Sequence, residues 1–520
     1  MGFMTGRPDA DFDCIVVGAG HNGLIAAAYL ARHGFATLLV EARATVGGAA
    51  SSETYMGATV NICNCDHLSF RSTPVAEELG LFEHGLSYID MDPAQVNGDW
   101  SSRRFWSIHH DLDRTLESLA VAHPTAVDGY RNYARTMMPV ARLILNAGSM
   151  PPTKRNLIGA MARQGGRGVA TMLRMSRMSA ADVMRDFIDC DEVISPAMVE
   201  GPVVWGLSPE TPGTGLGALG YALRHVATVG RPEGGSGALP QSVLASFLEA
   251  GGLLRTGVKV TGILCEGSRV SAVQTSDGAT VTARIVVSAC DPRQTFVRWL
   301  KNPPARANAL IDRWRNGHPA EGYESKIDAI LTRSPEIRGV NEMDIEQPIA
   351  STIVVAPSTA ELHRGAQLKA EGRIMPRLAL LANCPSVADD TLAAGGDRVF
   401  SLEALFTPYS FTGGWPNNVE ASRWLDQFST VAQDGFLDTV KSWRVLTPHE
   451  YERDFHMPRG HATSFGGGPL AAFLGRDPEL TRYRTPIKGL YLTGAATYPG
   501  AGVWGASGRN SALTIIRDLG

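Results

Sequence analysis

The chain has 520 residues, a formal net charge of −4 and a pI near 6.4, which exceeds what one hydrophobic core usually serves and leaves no nucleic-acid footprint, so two domains and no nucleic-acid partner are expected. Met1 to Asp13 carries acidic residues and no long apolar run, so no secretory signal or membrane span is expected and the protein is placed in the cytoplasm. Seven cysteines, an odd number without a spacing framework or a C-x-x-C, fit a reducing compartment and argue against disulfide-reductase chemistry.

From the N-terminus, Asp13-Cys-Ile-Val-Val-Gly18-Ala-Gly20-His-Asn-Gly23 runs into the apolar stretch Leu24 to Leu30, stops at Gly34 and is followed by Thr37-Leu-Leu-Val40 and Glu41. This reads as a strand, a glycine turn, a helix and a second strand ending on an acid, the arrangement that grips an ADP-containing dinucleotide. Gly18 allows the tight turn, Gly20 lets the backbone approach a pyrophosphate, and Gly23 lets the helix pack closely on its strand. The helix N-terminus offers its positive end to the phosphates. Glu41 is placed to accept hydrogen bonds from the adenosine ribose, and its charge would repel a 2′-phosphate, so NADP is not expected.

Arg43 and the pair Gly47-Gly48 come next, then Cys63-Asn64-Cys65-Asp66-His67. That cluster lacks a second ligand pair at zinc spacing, so no metal is expected. Residues 151–180 carry Lys154, Arg155, Arg163, Arg167, Arg174 and Arg177 without an acid, interleaved with Leu157, Ile158, Met161, Val169, Met172, Leu173, Met175 and Met178. Such a basic, Met-rich helical stretch reads either as a lid packed on its own domain or as a peripheral contact with an anionic membrane. Gly213-Thr-Gly-Leu-Gly217-Ala-Leu-Gly220 follows Ser208-Pro-Glu-Thr-Pro rather than a strand, so it reads as a turn and helix start and not as a second dinucleotide fold.

Further along, Ala250-Gly-Gly252-Leu-Leu and Val258 to Ile263 read as strands, Arg269 to Ala283 as a hairpin around Asp277-Gly278, and Ile285 to Ala289 as a buried parallel strand. Near the end, Gly489-Leu-Tyr-Leu-Thr-Gly494-Ala-Ala-Thr-Tyr-Pro-Gly500-Ala-Gly502-Val-Trp-Gly505-Ala-Ser-Gly508-Arg-Asn510 holds a short apolar strand, Leu490 to Thr493, and leads into a helix from about Gly505 to Asp518.

The pairing of the segment after Glu41 with this C-terminal one resembles the flavin oxidoreductases that group phytoene desaturases with amine oxidases. Pro232-Glu-Gly-Gly235-Ser-Gly237-Ala-Leu and Arg284-Ile-Val-Val-Ser-Ala-Cys-Asp291-Pro resemble internal landmarks of the phytoene desaturase-like branch. The resemblance implies FAD. It places Arg43, Gly47 and Gly48 beside the ribityl-pyrophosphate part, Gly494, Gly502, Val503 and Ala506 against the ring, and the backbone of Val260 at the adenine, although Val260 reads equally well as a plain strand valine. The charge that a reduced flavin gains at N1 and the C2 carbonyl is of the sign a helix N-terminus stabilises. The implied fold class is α/β, a glutathione-reductase-type FAD-binding Rossmann domain interleaved with a mixed α+β substrate domain. Residues 10–100, 230–299 and 485–520 build the first, and 101–229 (with the lid) and 300–484 the second.

A flavin dehydrogenase needs chiefly to aim a C–H bond at flavin N5 and to exclude water, which apolar side chains can do. His67 and Asp66 are the candidate proton handlers, with a buried structural histidine as the alternative. Tyr498 and Trp504 are candidates for lining the substrate pocket, and also read as packing. Gly502 stands where amine oxidases present an aromatic ring to a substrate amine, which opens space in place of a cation-π wall. Gly494 is followed by Ala495 and Ala496 where many flavoproteins carry an acid for a ribityl hydroxyl. The expected activity is therefore that of an FAD-dependent dehydrogenase or desaturase passing hydride from a hydrophobic, isoprenoid or alicyclic small molecule to N5. The alternatives are an amine oxidase, a redox-neutral flavin isomerase, and a non-catalytic flavin-bearing protein that binds a membrane or a partner.

Overall fold

The structure, a computed structural model, describes residues 10–519 apart from 64, 164–165, 167, 341–347, 416–418, 462 and 467. Asn64 and Arg167, singled out above, lie outside the described residues. The first strand, Phe12–Val17, pairs in parallel with Thr37–Val40, which in turn takes Leu253–Arg255. On its other side lies Thr280–Ser288, also parallel. Leu490–Leu492 joins Thr280–Ser288 in parallel from the far side. The start of Thr280–Ser288 pairs antiparallel with Arg269–Thr275, and the sheet continues through Val260–Glu266 to Leu300–Lys301. Cys14 to Val17 and Thr37 to Val40 are buried, as β-branched and leucine runs covered on both faces must be. Helix His21–Arg32 packs between Ala238–Glu249 and Ala506–Leu519.

The second sheet runs Val440–Leu446, Glu324–Leu331, Arg398–Leu405, Leu380–Asn383, Ile353–Ala356, Gln95–Asp99 and Phe105–Ile108. One face, with Ile327, Ala329, Leu402 and Ala404, joins the largest apolar core together with helices Val127–Gly148 and Asp191–Glu200. The other carries Glu324, Lys326 and Asp328 in alternation, with Glu403 opposite Lys326 and Ser401 opposite Asp328. That polar face meets the ribbon Ser52–Tyr55/Ala58–Asn61, which follows the double glycine: Lys326 Nζ donates to Asn61 O at 2.7 Å, and Tyr55 Oη and Ser442 Oγ are 2.7 Å apart.

Several boundaries differ from the sequence reading. The hairpin arm and the parallel strand expected as separate pieces are one uninterrupted strand, Thr280–Ser288, because no glycine or proline breaks that run. Ala250-Gly-Gly252 is a turn, with Gly251 at φ +82°, and the strand begins at Leu253. Gln95–Asp99, assigned above to the first flavin segment, is an inner strand of the second sheet. Leu300–Lys301 and helix Asn308–Asn316, assigned to the substrate part, belong with the first, since Leu310 and Ile311 bury against the cluster holding Ile263 and Phe296.

The basic stretch forms helices Lys154–Arg163 and Val169–Met175. Leu157, Ala160, Met172 and Met175 are buried in the main core, whereas Ile158 and Leu173 point outward. Arg174 is paired with Asp186 at 2.8 Å. No helix among the described residues is long and apolar enough to cross a membrane.

Candidate active site

The glycine turn after the first strand has the geometry that its residues predict. Gly18 sits at φ +95°, and a Cβ on Gly23 would lie 2.0 Å from the Gly18 carbonyl oxygen and 2.9 Å from Ala289 Cβ, so the helix can lie this close only without a side chain there. A Cβ on Gly20 would meet nothing within 4 Å, so this point of the loop faces open space. No side chain caps the helix start at Gly20, which leaves its first N–H groups for an anion. Glu41 holds the loop from behind: Oε2 accepts from Ala19 N at 2.7 Å and Oε1 from Arg43 N at 2.8 Å.

The double glycine lies directly on this turn. Gly47 N donates to Ala19 O at 2.8 Å, Gly47 is at φ +112°, and a Cβ on Gly48 would come within 3.2 Å of Gly20 Cα. Arg43 is turned away from the turn, bonded to Glu53 at 2.8 Å and Ser51 at 3.3 Å, with its guanidinium 4.2 Å from the Phe455 ring centroid. The landmark around Gly235 buttresses the segment from outside, with Gly237 N donating to Ser52 Oγ at 2.9 Å. Val260 begins the strand whose approach passes Glu41 and Arg43: Val258 N donates to Glu41 O and Gly257 N to Arg43 O.

The C-terminal segment closes over the same corner. Gly494, at φ +102°, donates to Ser507 Oγ at 3.0 Å, and that hydroxyl also meets Thr493 and Thr497, tying the strand end to the start of helix Ala506–Leu519. Ala506 opens that helix and is buried, while Val503 packs against the cluster under the first helix. Gly502, at φ +97°, is exposed, and a Cβ there would meet only Trp504, at 3.3 Å. Trp504 itself lies against Gly148. Tyr498 is buried in the main core beside Phe465, with its hydroxyl unpartnered among the described residues. His21, inside the glycine turn, reaches the Gly502 backbone; burial lowers it to about 4 against that pull, so it is neutral. Open space at Gly20, an uncapped helix start and two positive-φ glycine turns facing it together fit a dinucleotide that ends at the C-terminal segment.

Asp66 and His67 are engaged within the protein. Arg231 donates to Asp66 at 2.6 Å and Thr352 Oγ1 at 2.5 Å. Burial would raise this carboxyl, but Arg231 and Thr352 hold it below the usual range. His67 is fully buried, with Nδ1 2.7 Å from Tyr88 Oη and Nε2 2.9 Å from Ser236 Oγ; burial lowers it to about 3. These partners all come from within the protein, the arrangement expected of the buried structural histidine that is the alternative reading of His67. The neighbouring Cys63 and Cys65 thiols are pushed up by burial, Cys65 to about 12. Among the described residues no group of three or more His, Cys, Asp or Glu is placed to hold a metal.

Sequence reasoning missed the ionic network facing this corner from the second sheet. Asp328 accepts from Lys326 and, at 3.1 Å, from Arg444, which also reaches Glu53 at 3.2 Å. Burial, and then the neighbouring Glu324, raise Glu403 well above the usual carboxylate range, an effect that Lys326 only partly offsets; burial raises Glu324 as well. The signal was present in Glu324-x-Lys326-x-Asp328 and Ser401-x-Glu403, charged or polar residues at alternate positions of otherwise apolar strands.

Residues 16–78 match the family described as NAD(P)-binding Rossmann-like domain, and residues 166–321 the family described as flavin containing amine oxidoreductase. Along nearly the whole chain, it is 26% identical to pyridine nucleotide-disulfide oxidoreductase domain-containing protein 2 of Mus musculus, covering 99% of this chain and 95% of that one. It is 23% identical to a limonene dehydrogenase component of Castellaniella defragrans (98% and 95%) and 24% identical to a lycopene-forming phytoene desaturase of Pseudescherichia vulneris (97% and 99%). The fold is that of putrescine oxidase, with a TM-score of 0.63 at 15% identity over 98% of both chains. The dinucleotide turn, the flavin-oxidoreductase match and these relatives together make the chain an FAD-dependent oxidoreductase similar to the amine oxidases and phytoene desaturases.

Proposed function

We propose that the protein is a dehydrogenase or desaturase that removes hydride from a hydrophobic, isoprenoid or alicyclic carbon skeleton. Bound FAD supplies the hydride acceptor. The observation that carries the reading is that the ionisable groups described near the glycine turns are neutral or already engaged: His21 and His67 are neutral, the Cys65 thiol is neutral, Asp66 is tied to Arg231, and Glu41 is held by the Ala19 and Arg43 N–H groups. Such a corner orients and desolvates a C–H bond without handling protons. Gly502 leaves room there, bounded by Trp504, and Tyr498 lies behind it in the core. The names of the limonene and phytoene enzymes among the relatives support the same substrate class. Residues 151–180 would deliver such a molecule from a membrane surface through the outward Ile158, Leu173 and their flanking arginines.

The test is anaerobic mixing of the FAD-loaded protein with alicyclic alkenes, linear isoprenoids, alcohols and amines while following flavin absorbance. Bleaching by the hydrocarbons, slowed when the transferred hydrogen is deuterium, is the expected result. Bleaching by amines alone would replace the reading with amine oxidation, and turnover on prereduced flavin with unchanged product mass would replace it with isomerisation.

A further inference from the structure

The second sheet presents to the flavin corner a network whose charges do not balance. Lys326, Arg444 and Arg43 are its cations, and Asp328, Glu53, Glu324 and Glu403 its carboxylates. Asp328 and Glu53 use the three cations directly. Glu403 is only 6% exposed and, among the described residues, has neither a hydrogen bond nor an ion pair, and its oxygens are not completely enclosed by protein. The groups facing it from each packed element are Glu324 and Lys326 on the adjacent strand, Cys63, Cys65 and Asp66 on the segment after the ribbon, Tyr451 from helix Pro448–Phe455, and Glu200 at the end of helix Asp191–Glu200. Glu200 is neutralised by Arg224, Asp66 by Arg231, and the Tyr451 hydroxyl donates to Ile62 O at 3.0 Å. Lys326 is the cation among them, and its ammonium donates to Asp328 and to Asn61 O, so it offsets Glu403 only in part and gives it no hydrogen bond.

A buried carboxyl without a partner is costly as an ion and inexpensive as a neutral acid with one O–H to give. The sheet sets this group on the polar face that meets the ribbon following the double glycine, beside Lys326, whose ammonium donates to Asn61 O of that ribbon. We propose that Glu403, backed by Glu324, is the substrate-anchoring residue of the seam, a neutral acid that donates a hydrogen bond to a hydroxyl or carbonyl oxygen at one end of the apolar substrate. The inference rests on the functional reading above and narrows it: the substrate class is an oxygenated hydrophobic skeleton, held by its polar end with the reacting carbons directed towards the flavin corner.

The experiment uses FAD-loaded wild type, E403Q and E403A, matched first for flavin content and visible circular dichroism. Infrared difference spectra at neutral pH are expected to show a protonated-carboxyl band in the wild type that E403Q removes. The probes are geraniol, geranylamine and myrcene, which share a carbon skeleton and differ in the end group. Geraniol, and not myrcene, is expected to shift the band. Its binding, read by flavin absorbance, should weaken about five- to tenfold in E403A and stay within about twofold in E403Q, since a neutral amide still donates. Absence of the band in the wild type overturns the proposal, as does a band that no oxygenated probe moves. Equal loss in E403Q and E403A with geranylamine the tightest ligand also overturns it, by showing an ionised carboxylate that holds an ammonium. Failure of the functional reading is distinguishable, because it appears as a flavin that no hydrocarbon or alcohol reduces, whatever the band does.

Discussion

Two glycines three positions apart in the dinucleotide turn are predicted to fail in different ways when each becomes alanine. At Gly20 the backbone is at φ −62°, open to any L-residue, and a Cβ meets nothing within 4 Å. Gly20→Ala should therefore leave the apoprotein's stability within about 0.5 kcal/mol of wild type, with the loss of chain entropy in the unfolded state acting in its favour. The added methyl stands in the space that the pyrophosphate takes, so FAD affinity should fall. At Gly23 the Cβ would lie 2.0 Å from the Gly18 carbonyl oxygen and 2.9 Å from Ala289 Cβ. The helix must retreat by roughly 1 Å or more to restore ordinary contact. Both obstacles belong to the packed sheet, so the strain should cost about 1–3 kcal/mol or more. Gly23→Ala is thus expected to lower the unfolding midpoint and, by moving the helix start, to weaken FAD as well. Thermal unfolding of the apoproteins, followed by flavin-fluorescence titration, separates the two. A destabilised Gly20→Ala that binds FAD normally, or a Gly23→Ala indistinguishable from wild type in both measurements, would refute the reasoning.

Glu41→Ala removes two hydrogen bonds to a charged acceptor behind the same loop and should weaken FAD by about 1.5–3 kcal/mol in the same titration, partly through the slackened turn. His67 is neutral in the fold, lowered by burial to about 3 from an ordinary 6.5; protons therefore bind only the unfolded chain as pH drops below 6.5, and stability should fall towards pH 3 by up to about 1.4 kcal/mol per pH unit from this residue. His67→Gln should flatten the pH dependence of the unfolding midpoint below 6.5, and an unchanged slope would show that His67 is not the proton acceptor. If the basic stretch meets membranes, changing Arg155, Arg163, Arg174 and Arg177 together to Gln should abolish salt-sensitive cosedimentation with anionic liposomes, each charge contributing about 1 kcal/mol at best; equal cosedimentation would remove the idea.

The dinucleotide turn was legible because its requirements are local. Gly18 needs a positive φ, Gly23 needs the absence of a Cβ, and Glu41 sits at a strand end, all within one strand-helix-strand unit. The C-terminal corner was readable for the same reason. What sequence could not supply is pairing across long separations. Gln95–Asp99 looks like an appendix of the first segment until Ile353–Ala356 is found beside it, and Leu300–Lys301 looks like a linker until it pairs with Val260–Glu266. The partners of Asp66 and His67, which decide whether either can move a proton, come from Arg231, Ser236 and Thr352. For Glu403 the alternation Ser401-x-Glu403 marks a polar face on an apolar strand, but only the register that sets it against Lys326 makes it part of a network.

The strand Thr280–Ser288 joins two ways of building a sheet in one chain segment, and this governs when the cofactor half can come into being during synthesis. Its first residues find Arg269–Thr275 almost as soon as they are made, through a tight hairpin. Its last residues need Phe12–Val17, made long before, and Leu490–Leu492, made some two hundred residues later. Contacts of such sequence separation close slowly. The nascent chain therefore carries an open parallel edge at Val286 to Ser288 until Leu490–Leu492 has been made, a period in which a chaperone or a neighbouring chain can occupy that edge. If the flavin needs the completed sheet, its loading must wait for Leu490–Leu492 and the corner after it, so yellow colour in expressed protein should report the joining of these distant segments and not the folding of the N-terminal unit.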